Sequence, residues 1–268
     1  KYWAKKGYMV VVYCKCDNPG SYDGVVYLPE DKMSFTDKFD ILIVWRSIEV
    51  YNLLDMHARR RLLDLHDLVK PSQITPRVIK NVDTICVKSN FHASLLEDVP
   101  KEKIVVMPNG GAVKIGNLES KKDKKDLNYL IYSSSYDRGL AYMLKWGWPK
   151  IKKACPDAYL KIFYGWNLFD IMQPKTDDVK LYKDTIIKLM QQDGVQECGR
   201  ISQEELLKEK SKANIHYYMG NFLEIDCISV RESACVGAIP VVSGNIPVFK
   251  EKSYCLTIDG DPMLKETQ

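Results

Sequence analysis

Short apolar runs rich in Val, Ile and Tyr recur along the chain, bounded by turn residues and separated, for the most part, by amphipathic stretches. In the first part they occupy 8–14, 41–45, 62–65, 84–87 and 103–107. In the second they occupy 127–132, 159–164, 196–198, 214–218, 239–242 and 254–258. A strand covered on both faces needs apolar side chains at successive positions, so runs this short read as buried strands of parallel sheets. Helices fit between them at 53–62, 91–96, 139–155, 185–192, 203–212 and 228–236. Alternating elements of this kind give an α/β chain with doubly wound sheets.

The alternation breaks from Gly110-Gly111 to Asp126, where GNLESKKDKKD is polar, charged and without apolar period. That composition predicts a solvated linker. The expected organisation is two Rossmann-like domains facing a cleft: 1–115, a linker at 116–126, and 127–268. The opening Lys1–Gly7 reads as the end of a helix running into the strand at 8–14, so the first domain is expected to lack an N-terminal strand.

Composition removes several classes of function. With 46% hydrophobic and 28% charged residues the chain is of the soluble, globular kind. No apolar run approaches the roughly 18–20 residues of a membrane span. A net charge of +4 suits anionic small molecules or peripheral contact with a membrane surface, but is too weak to imply nucleic acid. Arg59-Arg60-Arg61 would meet anionic lipid or, more simply, form a solvated helix face. The eight cysteines show neither paired CxxC spacing nor the density of a disulfide framework. They read as reduced thiols of a cytoplasmic protein, with no metal site.

The segment NFLEIDCISVRESACVGAIPVV, residues 221–242, carries two carboxylates in a stretch otherwise bound for the interior. Glu224 falls in a loop after a strand, where open α/β sheets bind ligands. The helix expected to begin near Asp226–Ile228 points its first amides outward with partial positive charge, a natural anion site. Glu232 shares a face with Ile228 and Ser229 one turn further in, and a carboxylate there accepts hydrogen bonds from hydroxyls. A ligand with an anionic middle and hydroxyls at both ends fits, as a nucleotide sugar does. The bland alternatives are a glutamate favouring the helix dipole and a Glu232 paired with a neighbouring helix.

A second segment, YSSSYDRGL at 132–140, runs from strand to helix. Asp137 is a candidate N-cap. Arg138 at the positive end of a helix is disfavoured unless it shares an anion with the amides, and Gly139 permits close backbone approach. The competing reading is an exposed Asp137–Arg138 pair.

Glu224, Glu232, Gly237 and Pro240 together spell E-x7-E-x4-G-x2-P, which resembles the donor-binding signature of family 4 glycosyltransferases of GT-B fold. YSSSYDRGLAYMLKWGWPKIKKACPDAYLKIFYGW and GRISQEELLKEKSKANIHYY are similar to a subgroup found in bacteria and large DNA viruses. CVKSNFHASLLEDVPKEKIVVMPNG resembles the end of the family's first domain, and the whole covers most of residues 80–258. The resemblance implies that Glu232 binds ribose hydroxyls, Glu224 contacts the donor sugar, and the amides of Asp226, Cys227 and Ile228 meet the diphosphate. Arg138 takes the place of the family's phosphate-binding Lys. The partner Arg is replaced by the Tyr132–Ser133 region, so Ser133, Ser134 and helix amides share the task with Gly139. Gly165, Arg200 and Ile201 flank the base.

In the first domain, His66 ends the strand of LLDLHD and is expected to touch the donor sugar or orient the acceptor. Arg46, Asp67 and Asn109 are acceptor-side candidates. The implied reaction is retaining hexosyl transfer, without metal or cofactor, from a UDP- or GDP-sugar to a hydroxyl of a glycan, glycolipid or protein-linked glycan. The rival readings are a nucleotide-sugar-binding module or inactive remnant, and a GT-B-fold nucleotide-sugar epimerase. A dinucleotide oxidoreductase is disfavoured, because no G-x-G-x-x-G follows a strand.

Overall fold

The computed structural model describes residues 1–34, 36–53, 57–110 and 125–267. They divide into two compact units, Lys1–Val87 with Leu95–Val106, and Lys88–Ser94 with Met107–Gln268. Residues 116–124 of the expected linker lie outside the described set. Asp126 already opens a strand, and the Lys125 ammonium donates to the carbonyls of Ala213 (2.9 Å) and Val236 (3.1 Å).

The first unit begins with α1 (Tyr2–Lys5), β1 (Val10–Tyr13), β2 (Gly20–Tyr22) and β3 (Val25–Leu28). β1 pairs parallel with β3, and β2 pairs antiparallel with it. The β2–β3 turn is Asp23-Gly24, with φ of 53° and 78°. Two consecutive left-handed residues match the twist of a tight hairpin, and Asp-Gly supplies them. A second sheet carries β4 (Lys38–Trp45), α2 (Glu49–Leu53), β5 (His57–Asp64), α3 (Pro76–Asn81), β6 (Thr84–Val87) and, after α4 (Asn90–Ser94) of the other unit, β7 (Ile104–Val106). Its order is β4-β5-β6-β7, all parallel. Val44, Leu63, Ile85 and Val87 are buried, whereas Ile41, Ile43 and Trp45 of β4 are exposed.

One expectation fails here. The helix placed at 53–62 is a strand from His57, so Arg59-Arg60-Arg61 lies on β5 and not on a helix face. Ala, Arg and Leu favour helix locally. Pairing with β4, residue for residue from Lys38↔His57 to Trp45↔Asp64, overrides that preference. Arg61 is fixed by Asp83, whose carboxylate accepts from its backbone N–H at 2.7 Å and from its guanidinium at 3.3 Å.

The second unit runs β8 (Asp126–Tyr132), α5 (Leu140–Tyr142), a π-helical stretch (Met143–Gly147), α6 (Trp148–Ala154), β9 (Tyr159–Ile162), α7 (Trp166–Met172), α8 (Asp177–Leu189) and β10 (Val195–Glu197). It continues with α9 (Gln203–Lys212), β11 (Ala213–Tyr218), α10 (Ile228–Cys235), β12 (Ile239–Ser243), α11 (Pro247–Lys250) and β13 (Leu256–Ile258). The expected single helix at 139–155 is therefore divided. Pro149 has no N–H to continue the i→i−4 ladder, and a π turn precedes it. The helix expected at 185–192 starts earlier, at Asp177, capped by Thr176 Oγ1 on the Val179 amide.

All six strands are parallel, in the order β10-β9-β8-β11-β12-β13. The core packs Leu130, Tyr132, Leu140, Met143, Leu144, Trp148, Leu160, Ile162, Ile186 and Val242 between helices and sheet. The Trp148 indole N–H is satisfied by the Asp193 carbonyl at 2.9 Å.

His216, in the middle of β11, is completely buried. Its Nδ1 lies 2.6 Å from Ser233 Oγ, and Nε2 finds no partner among the described residues. Burial first, then the Lys210 ammonium, push its pKa well below the ordinary 6.5, so it folds neutral. Stability from this residue is held above the unfolded-state pKa and drains away as pH falls through it, because only the unfolded chain gains the proton. Urea unfolding should show the parent losing about 1 kcal/mol more than His216→Gln between pH 7 and pH 5.5.

Candidate functional site

The strand order of the second sheet reverses between β8 and β11. The loops at their carboxyl ends therefore flank the switch point, the place where such sheets bind ligands. The β8 loop carries Ser133 to Gly139; the β11 loop carries Met219 to Cys227. They meet backbone to backbone. A Cβ on Gly139 (φ 93°) would lie 2.8 Å from Gly220 Cα, and one on Gly220 would lie 2.6 Å from the Arg138 carbonyl oxygen. Only glycine fits either position.

This approach brings Arg138 to Glu224. The guanidinium donates to Glu224 Oε1 at 2.7 Å and lies 4.0 Å from the Phe222 ring centroid. Tyr218 Oη donates to the same Oε1 at 2.8 Å. Burial is the largest single influence on Arg138 and would lower its pKa, but the Glu224 carboxylate, Tyr218 and Cys227 together outweigh it and the pKa is raised. The Arg138 side chain keeps 32% exposure while that of Glu224 keeps 7%. The cation thus offers its free edge to solvent, while its carboxylate partner backs it. Asp137 does not cap the helix. Gly139 is the N-cap of α5, and the Asp137 carboxylate accepts from Gln173 Nε2 at 3.0 Å.

α10 begins at Ile228 behind a Cys227 N-cap that makes no side-chain capping hydrogen bond. The Cys227 thiol is buried, and its pKa is raised first by that burial, with both Arg138 and Lys210 near enough to oppose the shift. Ser133 Oγ lies 2.6 Å from Ser229 Oγ, which stitches the β8 loop onto the first turn of α10, and Ser134 is buried beside it. Ile228 is partly exposed. Glu232, 4% exposed, is held from α9: Lys210 Nζ donates to Oε2 at 2.9 Å and Gln203 Nε2 to Oε1 at 2.6 Å. The neighbouring-helix alternative for Glu232 is thus real.

Lys210 was not legible as a site residue, although one signal pointed to it. It falls four and three positions after Leu206 and Leu207, on the inward stripe of α9, where a cation is out of place.

A third cluster lies beyond β9 and β10. Gly165 (φ 82°) packs so closely on Arg200 that a Cβ would lie 3.0 Å from the Arg200 amide nitrogen. Its N–H donates to Tyr136 Oη at 3.0 Å, and Tyr136 Oη donates to Glu197 Oε1 at 2.6 Å. Glu197 also accepts from the Gly199 amide at 3.0 Å. Gly165, Arg200 and Ile201 are therefore neighbours, fixed by Tyr136 and Glu197, two residues that motif reading passed over.

Asp226 and Asn109 form a separate knot. The Asp226 carboxylate is buried; it accepts from the Asn109 amide at 2.8 Å and pairs with Arg231, which also donates to the Asn109 carbonyl. Asn109, expected on the acceptor side, belongs to the same unit as the donor candidates.

The remaining candidates lie in the first unit. Arg46 (φ 69°) closes two 2.6 Å hydrogen bonds on Asp67 and stacks 5.0 Å from the Trp45 ring centroid. His66 Nε2 lies 3.0 Å from Asp64 Oδ2, with its ring edge-on to Trp45. Together they line a pocket of 190 Å³ with Ile48, Glu49 and Gln73. No group of three or more metal-ligating side chains occurs among the described residues, and no described helix is long and apolar enough to cross a membrane.

No family model matches the chain, and no curated protein matches it significantly. Solved structures do. An E. coli trehalose-6-phosphate structure with UDP-2-fluoro glucose bound aligns over 96% of this chain and 81% of its own, at TM-score 0.62 and 9% identity. A UDP-forming α,α-trehalose-phosphate synthase from Burkholderia vietnamiensis aligns over 84% and 63%, at TM-score 0.58 and 11% identity. The pneumococcal O-GlcNAc transferase GtfA, in complex with UDP and GlcNAc, aligns over 82% and 44%, at TM-score 0.56 and 13% identity. The chain spans less than two thirds of the latter two proteins. The shared architecture is that of GT-B glycosyltransferase structures, α/β with parallel sheets.

Proposed function

We propose that this protein is a glycosyltransferase that moves a hexosyl unit from a nucleoside diphosphate sugar to an acceptor hydroxyl with retention, as the resemblance to family 4 implies. The observation that carries the reading is Arg138. It is a partly exposed guanidinium backed by Glu224 and Phe222, at the strand-order reversal and beside the uncapped start of α10. Such a cation and such amides together suit a diphosphate.

In the proposed reaction the sugar–phosphate bond breaks and negative charge grows on the departing diphosphate. Arg138 and the amides of Asp226, Cys227 and Ile228 stabilise it electrostatically, so the chemistry calls for no metal or cofactor. Ser133 and Ser134 supply hydroxyls to the same group. Both hydrogen bonds on Glu224 land on Oε1; Oε2 is the oxygen we assign to a sugar hydroxyl. Glu232 takes the ribose hydroxyls, and the Gly165–Arg200–Ile201 cluster takes the base. We assign Arg46, His66 and Asp67 to the acceptor side or the donor sugar, and Asn109 to the support of Asp226. The acceptor is a glycan, glycolipid or protein-linked glycan, reached in the cytoplasm or at a membrane surface.

Thermal-shift measurements with UDP, GDP, ADP and their sugars test the reading. A ligand at about 100 times its dissociation constant adds about 2.7 kcal/mol of stability, a shift of several degrees. No shift with any nucleoside diphosphate would sink the proposal. Conversion of the sugar without an acceptor would favour the epimerase instead.

A further inference from the structure

Lys210 is the least expected residue of the second unit: a lysine on α9 with no solvent exposure. All three of its N–H donors are engaged, with Glu232 Oε2 at 2.9 Å, the Ser229 carbonyl at 3.1 Å and Ser229 Oγ at 3.2 Å. An ammonium has three donors and no more. Lys210 is therefore not a second phosphate-binding cation, although it stands near the start of α10.

What it does to Glu232 is specific. An ionised carboxylate offers about four acceptor positions, two on each oxygen. Lys210 occupies one on Oε2, and Gln203, seven residues earlier on the same helix, occupies one on Oε1. One position per oxygen is left, at the spacing of two adjacent hydroxyls. Burial lowers the Lys210 pKa, and the Glu232 carboxylate opposes that shift.

We propose that α9 is the positioning element for Glu232, with Lys210 and Gln203 each filling one acceptor position so that the remaining two receive the 2′- and 3′-hydroxyls of a ribonucleotide. The inference rests on the donor-site reading above and adds to it: this protein selects ribo- over 2′-deoxyribonucleotides through a buried ion pair outside the E-x7-E segment. Lys210 and Gln203 touch no substrate. Their effect is transmitted through Glu232.

Calorimetric titration of the parent, Glu232→Gln, Lys210→Met and Gln203→Leu with UDP and 2′-deoxy-UDP tests this, with the ratio of the two dissociation constants as the readout. The parent should prefer UDP. Lys210→Met should reduce that preference about tenfold, the scale of a disturbed buried hydrogen-bond partner, and Gln203→Leu about threefold. Lys210→Arg, which keeps the charge, should recover part of the preference. A merely structural Lys210 would lower the melting temperature and leave the ratio untouched.

Gln203 is exposed on the first turn of α9, so its variant keeps the test decisive where Lys210→Met does not fold. An unchanged ratio in Lys210→Met, or in Gln203→Leu, overturns the proposal. Where the parent binds GDP or ADP rather than UDP, that nucleotide and its 2′-deoxy form take the place of the UDP pair. A parent that binds the ribonucleotide while Glu232→Gln leaves the ratio unchanged overturns the assignment of Glu232 itself. A parent that binds none of UDP, GDP and ADP overturns both.

Discussion

Arg138→Ala should lower turnover of a nucleotide sugar by about a hundredfold or more, the scale seen when one main electrostatic group is removed from a transition state. Charge develops on the leaving diphosphate as the bond to the sugar breaks, so the loss should appear in kcat as well as in kcat/KM. Arg138→Lys should retain more, because it keeps the charge while losing the planar fork. The substitution also leaves Glu224 buried with Tyr218 as its remaining partner. Thermal unfolding must therefore accompany the kinetics. Arg138→Ala combined with Glu224→Gln measures the stability part alone, since removing the stranded charge should restore stability. Turnover within threefold of the parent would remove Arg138 from the mechanism.

Lys210→Met should cost about 3–5 kcal/mol of folding stability, because it strands a carboxylate in the interior. Glu232 is 4% exposed and keeps only Gln203 from its present pair of donors, while Ser229 loses two contacts. Lys210→Met with Glu232→Leu should recover most of the loss, since replacing a buried ion pair by apolar groups of similar volume is often neutral. Chemical denaturation of Lys210→Met, Glu232→Leu and the double variant completes the cycle. A cost below about 1 kcal/mol for the single variant would mean that the pair behaves like a surface contact, reached by water.

The second sheet was readable because most of its strands, β10 excepted, are short and largely apolar runs. Strands such as Leu160–Ile162 and Val241–Val242 have no helical alternative at that length. β5 was readable only in its second half, through the apolar run at 62–65. Its first half, 57–61, is largely polar and locally helix-forming, and only register with β4 makes it a strand. The β2–β3 hairpin was passed over although Asp23-Gly24 announces it.

At the site, Glu224, Glu232, Arg138 and Gly139 stand out by type and spacing. Lys210, Tyr218, Tyr136 and Glu197 do not, because each acts by holding another residue. Partners of that kind come from separate strands and helices, and only the strand order brings them together. Asp137 illustrates the opposite error: a good capping residue two positions too early, displaced by the left-handed turn at Gly139.

The contact between Gly139 and Gly220 leaves no room for an added atom, so main chain rather than side-chain packing dictates where the Arg138 guanidinium reaches. Under the proposed function, attempts to alter the choice of sugar should leave that junction alone. Asn221 and Leu223, shortly after it, are exposed and offer the place where new shapes can be tried, whereas Phe222 between them stacks on the cation and should be kept.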